Sequence, residues 1–442
     1  MKLEITLALA LCGVLHVLAQ DTTRCISLNQ ACQLGIEKNT SVINARLEIQ
    51  KSAYHLKEVK SNLYPQVEGY SDFDYYYAIP QMLFPGEFFG QTGEIPVEIG
   101  TKYDWISGFK ASLILYNQSY FTSIKVAKSQ QMLDQLSVQQ KKEEVVYQVS
   151  QVYFFCKTTR SQIDQLQKNM KNTDHLLEIL KLQAENGAAR KIDYSKVLVD
   201  KNNLQTQIDN LNQLYRQQLD LLKYLIGMNI NSEIGLSDSL SYSADLQNFG
   251  MPDFDRQSEL KLLDQQIEVT TLNRKVNQQA YLPTLSGSGQ YYYDGQQNEF
   301  NYFNGGGDKF FKVGLVGVSL SIPIFDGFEK HAKTRQYDLE LQQLHNTRKN
   351  TADSYLKDFS NAIRQYNNSL KALLRQQENI KIAEEDYNVT LQGYREQITP
   401  LSDLMLSENS LTEARLSFVN ALLQLKNAEL DVKKSKGELL SY

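Results

Sequence analysis

Residues 313–327 read VGLVGVSLSIPIFDG. Val316, Val318, Leu320 and Ile322 alternate with Gly317, Ser319 and Ser321, so an extended segment here has one apolar face and one small or polar face. Apolar outward and small or polar inward is the pattern of a membrane β-barrel strand beside a wet lumen. The alternation predicts a strand over 309–322. Pro323 and Asp326-Gly327 end it, and the period then changes to that of a helix. The new seam runs Ala352, Leu356, Phe359, Ile363, Tyr366, Leu370 and Leu373, and resumes at Ile380, Tyr387 and Leu391.

Working outward, the same order of signals occurs twice. Asp193 and Asp403, and likewise Gly227 and Gly437, are separated by 210 residues, and Pro65 matches Pro283. A period this long is that of a duplicated domain and not of a solenoid. In the first copy, residues 28–63 read as a helix ending before Pro65. Residues 66–77 and 105–116 read as strands, separated by a loop with Pro80, Pro85, Gly90, Gly93, Pro96 and Gly100. Phe109, Ala111, Leu113 and Leu115 share a face of the second strand. The helical period then continues from Asn117 to Gly187, about 100 Å at 1.5 Å per residue. A return helix runs from about Tyr194 to Ile226, and 228–253 link the halves.

The second copy has a helix over 256–281, a Tyr-rich strand over 285–293, a loop with Gly295, Gly305, Gly306 and Gly307, and the strand quoted above. Its last helix carries Leu404, Leu411, Phe418, Leu425, Val432 and Leu439 every seven residues, with Ser407, Ala414, Ala421, Ala428 and Ser435 three places later. A strict seven-residue repeat winds helices into a left-handed supercoil, and large residues facing small ones let them interdigitate. The repeats therefore span 20–227 and 254–442. Tyr75, Tyr76, Tyr77, Tyr291, Tyr292 and Tyr293 suit an interfacial aromatic girdle.

The composition fits long polar helices with thin apolar seams: mean hydropathy is −0.43, with 8 Pro and 23 Gly in 442 residues. A net charge of −5 without a basic cluster argues against nucleic acid. Lys2, the apolar run from Ile5 to Leu18 and Val17-Leu18-Ala19 form a secretory signal over 1–19. The alternative, an N-terminal anchor, has too short an apolar core, and the large residues before Cys12 suit lipidation poorly. No later stretch has the roughly 18 consecutive apolar residues of a transmembrane helix. After cleavage, Cys25 and Cys32 form either a disulfide or two free thiols, and Cys156 continues an apolar seam as a small hydrophobe. His55, His175, His331 and His345 fall in no ligand spacing, and no nucleophile elbow or phosphate loop occurs, so the chain reads as a non-enzyme without cofactor.

Four strands cannot close a barrel, and an open sheet edge in lipid costs several kcal/mol per unpaired backbone group. The chain is therefore expected to oligomerise, three copies giving a twelve-strand β-barrel continued by a twelve-helix α-barrel. A dimeric coiled coil is the bland alternative; it leaves the Tyr-rich strands and the duplication unexplained. The order and duplication of LYP (Leu63–Pro65), YLP (Tyr281–Pro283), SIPIFDG (Ser321–Gly327), GAARKID (Gly187–Asp193) and GYREQITPLSDL (Gly393–Leu404) resemble TolC-type outer-membrane efflux channels over essentially the whole mature chain.

The resemblance implies a homotrimer in outer-membrane lipid, with a periplasmic helical tunnel docked to a membrane-fusion adaptor and an inner-membrane RND or ABC transporter. It implies passive efflux of small molecules; a type I protein-secretion duct would share the fold, and a periplasmic coiled-coil scaffold or adaptor would need no barrel. It also implies that the two helix turns form a periplasmic aperture. Asp403 matches an aspartate that rings the constriction, while a second ring position falls at Leu406. Tyr394 matches a restraining tyrosine whose basic partner falls at Thr399, which cannot make an ion pair; Pro400 stiffens the inner turn, and Asp193, Arg190 and Lys191 occupy the outer one. Independently of family, a threefold Asp ring would favour cations and offer a divalent site. Alternatively, Asp403 is an acid at a helix N-terminus that complements the macrodipole, and Asp193 has the same second reading.

Overall fold

The computed structural model describes residues 24–90, 92–186, 190–242, 249–251, 253, 256–303 and 310–440. The leader over 1–19, Gly187 and the loop glycines Gly305, Gly306 and Gly307 lie outside them. The described chain is mainly helical, with β1 (Arg24–Ile26), α1 (Leu28–Lys38), α2 (Thr40–Ser61), β2 (Gln66–Tyr75), β3 (Gln81–Pro85), β4 (Glu94–Glu98), β5 (Tyr103–Tyr116), α3 (Gln118–Glu185), α4 (Lys191–Leu225), β6 (Ile234–Leu236), α5 (Ser258–Gln279), β7 (Thr284–Gln297), β8 (Phe310–Ser321), α6 (Glu329–Arg395) and α7 (Leu401–Lys436).

The expected helix over 28–63 is two helices. Asn39 divides them: its N–H closes α1 on the Gly35 carbonyl, and its Oδ1 accepts from the Ser41 N–H at 2.9 Å to open α2. Its Nδ2 also donates to the Leu225 carbonyl at 2.8 Å. Gly227 and Gly437 both adopt left-handed φ, 64° and 70°, just past the ends of α4 and α7. A Cβ at Gly227 would lie 2.7 Å from the Lys38 carbonyl oxygen, so a second constraint fixes glycine there.

The chain divides into two compact units. The first comprises Met1–Leu47, Gln135–Leu262 and Arg348–Tyr442. One apolar core joins Ile26, Cys32, Val146, Val149, Tyr153, Leu222 and Ile226 around the parallel β1–β6 pair. The Tyr153 hydroxyl donates to the Ile26 carbonyl at 3.1 Å and lies 3.1 Å from the Asp238 carboxylate, which accepts from the Leu28 N–H. A second core packs Phe359, Tyr366, Leu370 and Leu373 of α6 against Ala421, Leu425, Ala428 and Val432 of α7, the residues of the seven-fold pattern. Cys25, Cys32 and Cys156 are free thiols, so the disulfide alternative is not realised. Cys156 is fully buried, and burial pushes its thiol up to about 12, as for a small hydrophobe.

The second unit comprises Glu48–Asp134 and Leu263–Thr347. Its four-stranded antiparallel sheet has the order β2-β5-β7-β8. The register places Val67, Phe73, Phe109, Trp105, Tyr291, Tyr293, Val316, Val318 and Leu320 on one face. That face is unpartnered, Val316 being 89% exposed. The other face carries Glu68, Asp72, Asp74, Asp104, Lys110, Gln290 and Asp294. Tyr292 falls on this polar face and Tyr76 and Tyr77 lie beyond β2, so only part of the expected girdle shares the apolar side. Trp105 completes that side, edge-on to Phe73 at 6.3 Å and to Phe310 at 5.9 Å. A bulge between Ile114 and Tyr116 leaves the Leu115 side chain beside Gly287, on the face of Leu113, and brings Tyr116 opposite Leu285 out of strict alternation.

The loop between β2 and β5 contains the β3–β4 hairpin, an element its glycines and prolines concealed. Polar contacts tie the helical part of this unit: Thr122 to Gln279 at 2.5 Å, Asn277 to Thr334 at 2.9 Å, and Arg274 to Asp338 at 2.8 Å. Among the described residues no helix is long and apolar enough to cross a membrane.

Candidate functional site

The α6–α7 turn is built from backbone. The Gly393 carbonyl accepts from the N–H groups of Ile398 at 2.8 Å and Thr399 at 3.1 Å, strapping the turn beneath the last residues of α6. Gln397 takes a left-handed φ of 62°, which reverses the chain. The Thr399 side chain lies against Gly393 so closely that a Cβ there would collide with the Thr399 hydroxyl. Pro400 is the N-cap of α7, one place before the first helical position, and offers no side-chain cap; its carbonyl accepts from Asp403 at 3.1 Å. Asp403 lies exposed in the first turn of α7, where a carboxylate complements the helix macrodipole. The Ser402 hydroxyl approaches Asp403 Oδ1 at 3.2 Å. Leu406, one turn on and on the same open face, is 68% exposed.

The α3–α4 turn uses charge. Arg190, the N-cap residue of α4, donates from Nε and Nη2 to the two carboxylate oxygens of Asp193 at 2.9 and 3.1 Å. The Asp193 N–H returns to the Arg190 carbonyl at 2.9 Å. The Asp193 side chain is 14% exposed and Arg190 78%, so the fork covers the acid from outside. Lys191 begins α4 as an exposed side chain.

The two turns meet through an apolar cluster. Leu177 and Leu180 of α3, Val197 of α4 and Leu401 of α7 are buried together, with Tyr194, Tyr394 and Met405 packed against them. Tyr394 is thereby brought near Asp193: burial, then the Asp193 charge, push its hydroxyl above the ordinary tyrosine range. Asp403 and Lys191 are not drawn into this cluster, and Thr399 acts on Gly393 within its own turn. Among the described residues no three His, Cys, Asp or Glu side chains converge as a metal site.

One residue escaped the sequence reading. Glu408 is buried, 9% exposed, on the stripe of α7 that holds Leu404, Ser407 and Leu411. A charged residue four places after Leu404 and three before Leu411 was the visible signal.

Residues 255–438 match the family model described as outer membrane efflux protein. No curated protein matches the chain at significant similarity. Among solved structures, the outer membrane protein VceC from Vibrio cholerae is 11% identical, with 93% of this chain and 96% of that chain covered and a TM-score of 0.71. The CmeC outer membrane channel of Campylobacter jejuni is 17% identical, covering 93% and 86% at 0.72. The open state of the MtrE outer membrane channel of Neisseria gonorrhoeae is 15% identical, covering 93% and 88% at 0.71. At these identities the likeness is one of fold.

Proposed function

We propose that this chain, whose residues 255–438 are an outer membrane efflux protein domain and whose fold is that of TolC-type outer-membrane channels, is the exit duct of a tripartite efflux system. It acts as a homotrimer of duplicated half-domains, conducting small molecules passively from a periplasmic adaptor and an inner-membrane pump to the exterior. The observation that carries this reading is the sheet of the second unit. It has an apolar exposed face, a polar face bearing carboxylates, and two unpaired edges, β2 and β8. Unpaired backbone cannot stay in lipid. Pairing β8 of each copy with β2 of the next closes twelve strands from three copies, with the polar face inward as in other outer-membrane barrels.

In this reading the two helix turns are the periplasmic aperture and Asp403 lines it. Arg190, Lys191, Asp193, Tyr394, Thr399 and Pro400 set the rest position of the helices around it. The experiment is single-channel recording in planar bilayers on detergent-extracted trimers, with subunit count by native mass spectrometry. Small gated currents from a trimer are the expected result. A well-folded, membrane-extracted protein that is monomeric and never conducts would overturn it in favour of a periplasmic scaffold.

A further inference from the structure

Glu408 lies where the α3–α4 and α6–α7 hairpins face each other. Its backbone carbonyl accepts from Thr412 Oγ1 at 2.9 Å, and Thr412 Oγ1 accepts in turn from Asn169 Nδ2 of α3 at 2.9 Å. Its carboxylate oxygen Oε1 is buried without a hydrogen-bond partner, and so is Asn169 Oδ1. Around the carboxylate stand Asn172 of α3, which favours the ionised form, Asp200 of α4, which opposes it, and Tyr387 of α6. The cations nearby are otherwise engaged: Arg415 of α7 pairs with Glu384 of α6 at 2.5 Å, and Lys201 of α4 pairs with Asp174 of α3 at 2.6 Å. Arg395 and Arg415 act on Tyr387 and not on Glu408.

A buried carboxylate without a cation is costly when ionised, and taking up a proton is the cheapest relief. The proton also supplies an O–H donor to a layer whose unsatisfied groups are acceptors. We propose that Glu408 is a proton-binding site that couples periplasmic pH to the separation of the two helical hairpins, its protonated form holding them packed. The proposal rests on the reading of the turns as a channel aperture.

Burial first, and the Asp200 charge after it, push the packed-state value from 4.5 to about 7. Asp200 is itself raised by burial, and its charge opposes ionisation of Glu408. Separating the hairpins returns Glu408 to water and releases its proton. Because the packed-state value is the raised one, the proton's contribution to packing is full below about pH 4.5. It is lost as pH rises through the window to about 7, and is gone above it. Acid closes and alkali loosens.

The test is hydrogen–deuterium exchange over residues 401–411 of the detergent-solubilised trimer, from about pH 4.5 to about pH 8, corrected for intrinsic exchange, alongside open probability in bilayers. The opening equilibrium is expected to rise with pH by up to about tenfold per unit per protomer inside the window and to level off above it. Glu408→Gln, which imitates the protonated form, is expected to abolish the slope and keep exchange slow. Asp200→Asn, which removes the neighbouring charge, is expected to move the window to lower pH. A wild-type profile without slope, or a Glu408→Gln profile that keeps it, overturns the proposal. A pH-dependent exchange profile in a protein that never conducts supports the proton site and overturns the channel reading alone.

Discussion

The two helix turns do the same geometrical work by different means. The α3–α4 turn is closed by a bidentate ion pair from the exposed Arg190 to the largely covered Asp193. The α6–α7 turn is closed by two backbone hydrogen bonds to Gly393 and a left-handed Gln397. A charge clasp of this kind is soft, screened by salt and worth about 0–1 kcal/mol. A backbone strap is insensitive to salt and is set by sterics. Of two turns, one sterically fixed and the other held by charge, the charged α3–α4 turn should loosen first when ionic strength rises.

The largest expected effect comes from the part both turns share. Leu401 is buried with Leu177, Leu180 and Val197, so Leu401→Ala should cost about 2–4 kcal/mol through the lost burial and the cavity. Hydrogen exchange should then speed at both turns together. Speeding confined to α6–α7 would mean that the cluster does not couple them, and the comparison would reduce to two independent turns.

Next is Gly393→Ala. In a helix this change gains about 1 kcal/mol of propensity, but here the new Cβ meets the Thr399 hydroxyl. Overpacking against a stiff β-branched residue costs about 1–3 kcal/mol. We expect net destabilisation of about 1 kcal/mol, partly recovered in Gly393→Ala/Thr399→Ala, a coupling that a double-mutant cycle reads directly. A stabilised single variant would show that Thr399 swings away freely and that the α6–α7 turn is no strap.

How far the sequence reaches differs between these features for physical reasons. The sheet and the long helices were legible because their signals are periodic and local: the alternation through Val316, Val318 and Leu320, and the seven-residue pattern through Leu425 and Val432. The break at Asn39 was not, because one side chain ends one helix and begins the next without disturbing the apolar seam. The three-residue strands β1 and β6 carry no period of their own and exist only through pairing of residues about two hundred positions apart, Cys25 with Gly235. At the site, the residue types at the turns were legible, and so was the 3-residue spacing of Arg190 and Asp193. The Gly393–Thr399 contact depends on a turn conformation no pattern announces, and the missing partner of Glu408 depends on four helices at once.

The α3–α4 turn's own test is smaller. Arg190→Gln removes the clasp and should cost at most about 1 kcal/mol in low salt, with no difference from the unsubstituted protein near 1 M salt, where the Debye length falls to about 3 Å. Melting curves of both proteins across a salt series check this. A penalty that persists at high salt would mean that Arg190 packs and does not clasp.

The smallest effect on stability, and the most informative for conduction, belongs to Asp403. As a first-turn acid on an exposed helix end it contributes about 0.3–1 kcal/mol through the macrodipole, and Asp403→Asn should lose no more than that. As one of three carboxylates around a narrow aqueous passage it would also concentrate cations, because potentials add where charges converge on a constriction. The two roles separate by readout. Macrodipole loss lowers the melting temperature slightly and leaves reversal potentials alone, whereas loss of a ring lowers cation selectivity and divalent block without needing any change in stability. Leu406, exposed one turn away on the same face, supplies no charge to take over, so a reduced selectivity in Asp403→Asn cannot be masked from that position. An unchanged reversal potential would therefore remove Asp403 from the conduction path and leave the backbone-strapped turn as a purely mechanical element.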